Sequence, residues 1–397
     1  MDYGAAASER AKNATPGGVG SGASEIFQNI QVLRAVAALL VVIGHLQPLF
    51  ERIDPRLGFV GLGRAGVDLF FVISGFVMVH TTKRADPSPA LFTYRRITRI
   101  VPLYWLLTLT VFVLALVAPS LLGASRPDPV WFAKSLGFIP FAKGDGTMNP
   151  LLPVGWSLNY EMAFYGVFAL SMFGGQRWRY WIAGALMLAA ALPGFLRMPI
   201  SDPVVNWYTR PVVAEFVAGM VIGGLFPRLS GISRPWAAVA ATGVCALFAV
   251  LLGSGLTAIE PLRTAIASAA AAGILVLAIT LERGGWAVTW QPALLVGNAS
   301  YSIYLTHLFM TQVAVTAAIK LGVAGAAAAA GSVAAAAIAI VAGVIAYRLF
   351  ELPATRALKA FPTKLLSAMT GHVSGRRLLA EFDQPTHLSN SATRKAR

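Results

Sequence analysis

Cysteine is almost absent from the sequence, which contains only Cys245 among 397 residues. This rules out an intrachain disulfide and a cysteine metal cluster. Charged residues are also scarce, at 12% of the chain, where an average soluble domain has about 25%. Hydrophobic residues make up 56%, and the mean hydropathy is +0.66. This composition argues against a soluble enzyme, a disordered protein and a secreted disulfide scaffold, and it indicates a polytopic membrane protein.

Several catalytic motifs are missing as well. The sequence has no Asp-x-Asp pair, which argues against a metal-dependent glycosyltransferase that uses sugar nucleotides. It also lacks a P-loop, an HExxH zinc motif and the Gly-x-Ser-x-Gly elbow of serine hydrolases. The five histidines are scattered along the chain, so we expect no metal site.

Apolar runs of about 17–25 residues, the length that crosses the hydrocarbon core, recur along the chain. We predict an all-α, polytopic membrane helix bundle of ten transmembrane helices, with a break in the ninth near Gly297. Residues 1–25 are predicted to be a disordered leader, 26–352 the transmembrane domain and 353–397 a basic cytoplasmic tail. The ten spans run approximately over Phe27–Phe50, Gly66–Thr82, Ile100–Ala118, Ser157–Phe173, Tyr180–Leu196, Pro211–Phe226, Pro235–Leu252, Arg263–Leu281, Ala293–Ile319 and Ala326–Phe350.

The excess of basic over acidic residues, 32 against 17, is distributed unevenly between the two sides of this topology. If the N-terminus is cytoplasmic, 21 of the 32 lysines and arginines lie on the cytoplasmic side. The positive-inside rule then predicts that both termini are cytoplasmic, in agreement with an even number of spans. The basic charge is therefore a topology signal, and we expect no nucleic acid as a partner.

Arg34 and His45 are ionisable groups inside the first span, where each costs a few kcal/mol or more at the bilayer centre. Eleven helical residues make about three full turns, so the two side chains share one face, roughly 16 Å apart along the axis. Taken singly, Arg34 is explained as an arginine that snorkels to the membrane surface and His45 as a structural histidine. Their common face in an otherwise apolar span favours a lined path through the bundle.

Two further motifs lie at the entries of the second and third spans. Asp68 is either an acid that stabilises a helix N-terminus or a partner for His45 or Arg34. Arg96 and Arg99 lie at positions i and i+3, on one face if helical. They are either a positive-inside anchor or a pair of guanidinium groups that grips phosphates from the cytosolic side.

Carboxylates recur at the predicted outer ends of later spans. Glu161 and Tyr165 share a helical face, and the carboxylate either pairs with a buried cation or acts in acid–base chemistry. Glu215 lies near the outer end of the sixth span.

The last two spans carry their own polar residues. Tyr301 is either an interfacial or a packing residue, whereas His307 lies deeper in the ninth span and is harder to explain by packing. At the end of the last span, before a helix-stopping proline, Glu351 is predicted to pair with Arg348.

Taken in order, these motifs resemble the membrane-bound acyltransferase-3 family, specifically its branch of bacterial exopolysaccharide O-acetyltransferases. The resemblance spans roughly Ile26 to Lys359 and implies transfer of an acyl group, commonly acetyl from cytosolic acetyl-CoA, to a glycan at the outer face. The motifs that carry it are Arg34 with His45 eleven residues on, Gly66-Val67-Asp68-Leu69-Phe70-Phe71-Val72-Ile73-Ser74-Gly75-Phe76, Arg96-x-x-Arg99 with Pro102 and Tyr104, Trp156-Ser157-Leu158 with Glu161, Glu215-Phe216 with Gly219, and Ser300-Tyr301-Ser302-Ile303-Tyr304-Leu305-x-His307.

The resemblance implies roles for individual residues. His45 would be the general base or an acyl-relay group, and Asp68 and Glu161 would orient it or position the acceptor. Arg96 and Arg99 would bind the CoA phosphates. The remaining residues expected to bind substrate or donor are Arg34, Tyr165, Glu215, Tyr301 and His307. Acyl-CoA is a substrate here, and no bound cofactor is expected.

The expected protein is a multi-pass protein of the bacterial inner membrane. Its partners would be acyl-CoA, a glycan or lipid-linked glycan acceptor, the bilayer and a polysaccharide assembly machinery. A transporter or flippase of a lipid-linked saccharide would also need charged residues in its spans, but it would not consume acyl-CoA. A purely structural partner in an export complex leaves Arg34, His45 and Glu161 without a reason for their energetic cost.

Overall fold

The computed structural model describes residues 27–58, 62–118, 127–143, 146–253 and 259–360. All regular structure in these ranges is helical, which confirms the predicted all-α bundle. The predicted leader and most of the predicted tail lie outside the described residues. The helices are α1 (Gln28–His45), α2 (Gln47–Glu51), α3 (Leu62–Ala85), α4 (Pro89–Val117), α5 (Pro129–Leu136), α6 (Trp156–Ser171), α7 (Gly175–Phe195), α8 (Pro203–Tyr208), α9 (Ala214–Leu225), α10 (Arg234–Gly253), α11 (Glu260–Arg283), α12 (Gln291–Asn298), α13 (Ser300–Lys320) and α14 (Gly325–Ala346).

Each of the ten predicted spans overlaps a helix of this series. Within the described ranges, seven helical stretches are long and apolar enough to cross a bilayer, namely α1, α3, α4, α9 with its flanking turns, α11, α13 and α14 with the residues that follow it. Helix α6, with 16 residues, falls below the length of a full crossing. A polytopic helical bundle is confirmed, and the count of ten crossings stays a prediction.

Helix α4 begins earlier than the apolar pattern predicts, at Pro89 instead of Ile100. The Ser88 hydroxyl accepts a hydrogen bond from the backbone N–H of Leu91 at 3.3 Å and so caps the helix start. Hydropathy misses these first turns because they are rich in arginine. As a result the predicted phosphate-binding pair lies on a helix and not in a loop.

The ninth predicted span is divided into α12 and α13, with the break at Ala299. The expected interruption near Gly297 is therefore present. A Cβ atom added to Gly297 would lie 2.0 Å from the backbone oxygen of Gln31. Only glycine allows α12 to approach α1 this closely.

Helix α3 lies at the centre of the bundle and packs against α1, α9 and α11. Its crossing with α9 depends on two glycines. A Cβ atom on Gly75 would lie 2.0 Å from the Phe216 oxygen, and one on Gly219 would lie 1.9 Å from the Val72 oxygen. Beside this crossing, Phe71 stacks on Phe216 with ring centroids 4.5 Å apart. The glycines thus let two backbones touch while aromatic rings fill the space around them.

The antiparallel helices define two ends of the bundle. At the first, which we call the His45 end, α1 finishes at His45, α6 begins at Trp156, and Arg64 of α3 forms an ion pair with Glu260 of α11 at 2.7 Å. At the second, the Arg96 end, α4 begins, and the Tyr94 hydroxyl donates a hydrogen bond to the Leu358 carbonyl at 2.6 Å.

Candidate active site

Two histidines meet at the His45 end. His45 is the last residue of α1, and His307 lies two turns into α13. The His307 Nε2 atom is 3.2 Å from the His45 Nδ1 atom, and the ring centroids are 4.8 Å apart. His307 is fully buried, whereas His45 is partly exposed. The sequence pointed to both residues, but it gave no sign of a contact across 262 positions.

Backbone carbonyls fix the tautomers of this pair. The His45 Nδ1 atom is 2.8 Å from the Val41 carbonyl oxygen, and the His307 Nδ1 atom is 2.7 Å from that of Tyr304. Because a carbonyl only accepts, both Nδ1 atoms carry a proton. The single His45 Nδ1–H proton is then shared, mainly with the Val41 carbonyl at 2.8 Å and more weakly with His307 Nε2 at 3.2 Å. The His45 Nε2 atom keeps its lone pair, as a general base requires.

A cavity of about 270 Å³, which we call the His45 cavity, adjoins this histidine. The hydroxyl of Tyr304 donates to the Val154 carbonyl at 2.8 Å and shares a hydrogen bond with Ser157 Oγ at 2.6 Å. These contacts tie α13 to the start of α6. The cavity is lined by Val41, Gly44, His45, Gln47, Gly63, Arg64, Val67, Val154, Trp156 and Tyr304.

Asp68 lies in a buried ion pair with Arg263, with oxygen–nitrogen distances of 2.5 and 3.3 Å. Both side chains are almost fully enclosed. Glu215 is fully buried and lies within electrostatic reach of both. The carboxylate of Asp68 is therefore engaged with an arginine, and its expected contact with His45 is not formed.

Glu161 accepts hydrogen bonds from the Tyr165 hydroxyl and, at 3.2 Å, from Ser74 Oγ. The predicted pairing of Glu161 and Tyr165 on one helical face is thus present as a direct contact. The guanidinium carbon of Arg96 lies 5.5 Å from the centroids of the Tyr165 and Phe92 rings. These contacts place Glu161 with Arg96, and the structure does not bring it to His45.

Arg34 lies between the two ends and is almost fully buried. Its Nη1 atom donates to the Gln31 side chain at 3.2 Å. Arg99 from α4, Glu161 from α6 and Glu351 from the end of α14 lie within electrostatic reach. The arginine that the sequence placed on the His45 face of α1 is therefore within electrostatic reach of charged groups of the opposite end.

The predicted pair of Glu351 and Arg348 is wrong. Glu351 is buried and accepts a hydrogen bond from Ser302 Oγ at 2.5 Å, whereas Arg348 is exposed. The helix adopts π geometry over Tyr347–Glu351, so residues three apart no longer share a face. In the same region the Tyr301 hydroxyl donates to the Ile100 carbonyl at 2.6 Å, which is a packing contact between α13 and α4.

Positive charge accumulates at the Arg96 end. Lys359 lies within electrostatic reach of Arg95, Arg96 and Arg99. We call these four residues, together with Arg34, the basic cluster. Arg95 and Lys359 were not among the predicted site residues, although a lysine eight residues past Glu351 in a basic segment was a usable signal. Guanidinium and ammonium groups gathered in this way suit a phosphorylated ligand.

Sequence reasoning also missed the residues that shape the His45 cavity. Trp156 and Tyr304 belong to the motifs of the sequence, but no role was predicted for them, and none for Arg64 or Arg263. The arginines at the starts of α3 and α11 were the available signal, because a cation next to an apolar run needs a nearby carboxylate. In the part of the chain that the structure describes, no three His, Cys, Asp or Glu side chains form a group that could hold a metal ion.

Known proteins are similar to this chain over most of its length. The family model described as "Acyltransferase domain" matches residues 27–348. The exopolysaccharide production protein ExoZ of Rhizobium meliloti is 37% identical over 306 residues, covering 75% of this chain and 92% of that protein. The putative membrane-bound transacylase BcsY of Komagataeibacter xylinus is 28% identical, covering 70% and 72%. The peptidoglycan O-acetyltransferase OatA of Listeria monocytogenes is 24% identical, covering 70% and 48%. No solved structure matches the chain.

Proposed function

The chain belongs to the acyltransferase-3 family and is an acyltransferase, and from this premise we propose that it moves an acetyl group from cytosolic acetyl-CoA to a hydroxyl of a surface or exopolysaccharide glycan at the outer face. The proposal rests on the different polar groups at the two ends of the bundle. A histidine with a free Nε2 lone pair borders a cavity at one end, and the basic cluster occupies the other.

The donor is proposed to enter at the basic cluster. Arg96, Arg99 and Lys359 bind the CoA phosphates, and Arg34 meets a phosphate or the carbonyl groups of the pantetheine arm. The arm must then span roughly 16 Å, the axial rise of the eleven helical residues from Arg34 to His45. The shared face of these two residues supports this direction for the arm.

His45 acts as the general base in this proposal. Its Nε2 atom takes the proton of the acceptor hydroxyl while the hydroxyl oxygen attacks the thioester carbonyl. The carbon–sulfur bond breaks, and the leaving thiolate of CoA takes the proton from the His45 ring, which restores the base. The acyl group ends as an ester on the glycan. The Val41 carbonyl and His307 Nε2 share the His45 Nδ1–H group and so stabilise the charged ring.

Asp68 and Glu161 have a supporting role in this mechanism. Asp68 holds Arg263 and so fixes α3 against α11, whereas Glu161 holds Tyr165 beside Arg96. The orienting partner of His45 is His307 and not a carboxylate. Glu215 lies within electrostatic reach of Asp68 and Arg263 and is assigned to the same support.

The first test compares surface glycans by mass spectrometry in the source organism with the gene intact, deleted, or changed to His45→Gln. Glutamine keeps hydrogen bonding but cannot accept the proton, so transfer should fall about 10²–10⁴-fold at matched abundance. The matched control is His80→Gln, since His80 packs among Phe27, Phe76 and Phe226 in another part of the bundle.

Two results would contradict the proposal. Glycan acylation that is unchanged by deletion would reject the glycan as acceptor. Full activity in His45→Gln would reject His45 as the base. Acetyl-CoA labelled in the acetyl group identifies the donor, because the label must appear in the glycan in proportion to the CoA released.

A further inference from the structure

A second and larger cavity opens at the His45 end. Its volume is about 340 Å³, at the lower end of the range of about 300–1,000 Å³ that holds small-molecule ligands. It shares Arg64 and Trp156 with the His45 cavity. The residues that line it come from four separate parts of the chain and include Arg64, Trp156, Tyr160, Trp207, Arg210 and Glu260.

Aromatic rings build one wall of this larger cavity. The Trp207 ring stacks on the Tyr160 ring with centroids 5.1 Å apart, and the guanidinium carbon of Arg210 lies 4.5 Å from the Trp207 centroid. Trp156 stands nearly perpendicular to both rings, at interplanar angles of 88° and 87°. The ring of Trp156 lies between the two cavities. An indole face with negative potential suits the polarised C–H groups on the face of a sugar ring.

Two buried donors in this wall have no acceptor. The indole Nε1 atom of Trp207, whose side chain is 5% exposed, makes no hydrogen bond among the described residues, and the Nε atom of Arg64 is enclosed in the same way. Buried donors are normally satisfied, so each of these two calls for a partner. Both residues line the cavity, but these two nitrogen atoms are enclosed, so the oxygens of a ligand reach them only if the side chains turn toward it.

The charge of the lining is unbalanced. Arg64 is neutralised by Glu260 at 2.7 Å. Arg210 makes no ion pair within the described residues, and its half-buried guanidinium lies over the ring of Trp207. The cavity therefore carries one excess positive charge beside an aromatic wall. A guanidinium group in such a setting binds a carboxylate through two parallel hydrogen bonds.

We propose that the larger cavity, the acceptor chamber, binds a saccharide that carries a carboxylate. Arg210 pairs with the carboxylate, and Trp156 holds the next sugar with a hydroxyl directed at His45. This inference rests on the proposed function and adds the class of acceptor to it. It assigns Trp156 and Arg210 to acceptor recognition, at the end opposite to the basic cluster.

The test uses the purified full chain in detergent and two soluble probes. One is a β-linked glucose tetrasaccharide, and the other is the same tetrasaccharide with glucuronic acid at one end. Binding is followed by tryptophan fluorescence without donor, and transfer is followed with acetyl-CoA. The acidic probe should bind about ten- to a hundredfold more tightly than the neutral one, as one charge-assisted contact predicts.

Three variants test which residues distinguish the acidic probe from the neutral one. Arg210→Gln should bring the acidic probe to the affinity of the neutral one, and Arg210→Lys should recover part of the difference. Trp156→Phe should weaken both probes several-fold. The matched control is Arg56→Gln, because Arg56 is an exposed arginine outside the cavity and should leave both affinities unchanged.

The outcomes separate this inference from the proposed function. Equal affinity for the two probes, failure of both to bind, or discrimination that survives Arg210→Gln would overturn the acceptor chamber. Displacement of the acidic probe by an equal concentration of sodium acetate would reduce the chamber to a general carboxylate site and so overturn it too. If the acidic probe binds through Arg210 but no acetyl is transferred, the chamber stands and the proposed function fails.

Discussion

Among the candidate residues, Arg96 and Arg99 give the most direct test of donor binding. Their side chains leave the first turns of α4 at the Arg96 end, where Lys359 adds a further cation. Arg96 is held against the rings of Phe92 and Tyr165, so its guanidinium is oriented before any ligand arrives. A preoriented cation loses little entropy when it binds a phosphate.

We expect Arg96→Ala and Arg99→Ala to raise the KM for acetyl-CoA by one to two orders of magnitude each, since a charge-assisted contact contributes about 1.5–3 kcal/mol. Initial rates in membranes at varied acetyl-CoA concentration measure this. Arg177→Ala is the matched control, because Arg177 is exposed at the start of α7 and lies over Trp178. Unchanged donor kinetics in correctly inserted Arg96 and Arg99 variants would return both residues to the role of topology anchors.

Single residues could be predicted where helical spacing decides their neighbours. The common face of Arg34 and His45 and the pairing of Glu161 with Tyr165 follow from local geometry. The partners of Asp68 and His45 could not be predicted in the same way, because they come from helices 195 and 262 positions away. In the sequence, Asp68 and Glu161 were equally good candidates to orient His45. Only the packing of α11 against α3 shows that Arg263 engages Asp68.

At the scale of the helices, the crossing of α3 and α9 depends on an exceptionally close approach. Gly219 leaves no room for a methyl group against the Val72 oxygen. Gly224, five residues later on the same helix, has open space there, with nothing within 4 Å of an added Cβ atom. The two glycines therefore make a matched pair of sites for one substitution.

We expect Gly219→Ala to destabilise the protein by about 1–3 kcal/mol or more, because the helices must separate to admit the methyl group. Gly224→Ala should be neutral or slightly stabilising, since alanine favours a helix by about 1 kcal/mol over glycine. The melting temperature in detergent, followed by circular dichroism, measures both. Equal melting temperatures for the two variants would show that the crossing tolerates a wider spacing.

Helix positions were largely predictable from apolar runs, and helix ends were not. The arginine-rich start of α4 is helical because Ser88 caps it, although its residues are not apolar. Gly297 indicated the division at Ala299. Its close approach to Gln31 shows why this position requires glycine. The π turn at Tyr347–Glu351 left no pattern in the sequence, and it moved Glu351 from the surface into the bundle.

For the whole molecule, the distribution of basic residues predicts the orientation in the membrane. If the chain has ten spans, 21 of the 32 basic residues lie on one side, and we expect both termini in the cytoplasm. A reporter enzyme fused after Lys364 should be active in the cytosol, and one inserted after Ala118 should be active outside. Periplasmic activity at Lys364 would refute either the number of spans or their orientation.

The arrangement of the two cavities affects the access of water to His45 and the hydrolysis of acetyl-CoA. Because the His45 cavity and the acceptor chamber have Arg64 and Trp156 in common, an occupant of the chamber also limits the solvent that reaches His45. Without an acceptor, the same base that activates a sugar hydroxyl would activate water, and acetyl-CoA would be hydrolysed to no purpose. Saccharide supply would then set the coupling efficiency of the protein, with free acetate released when glycan is short and suppressed when it is abundant.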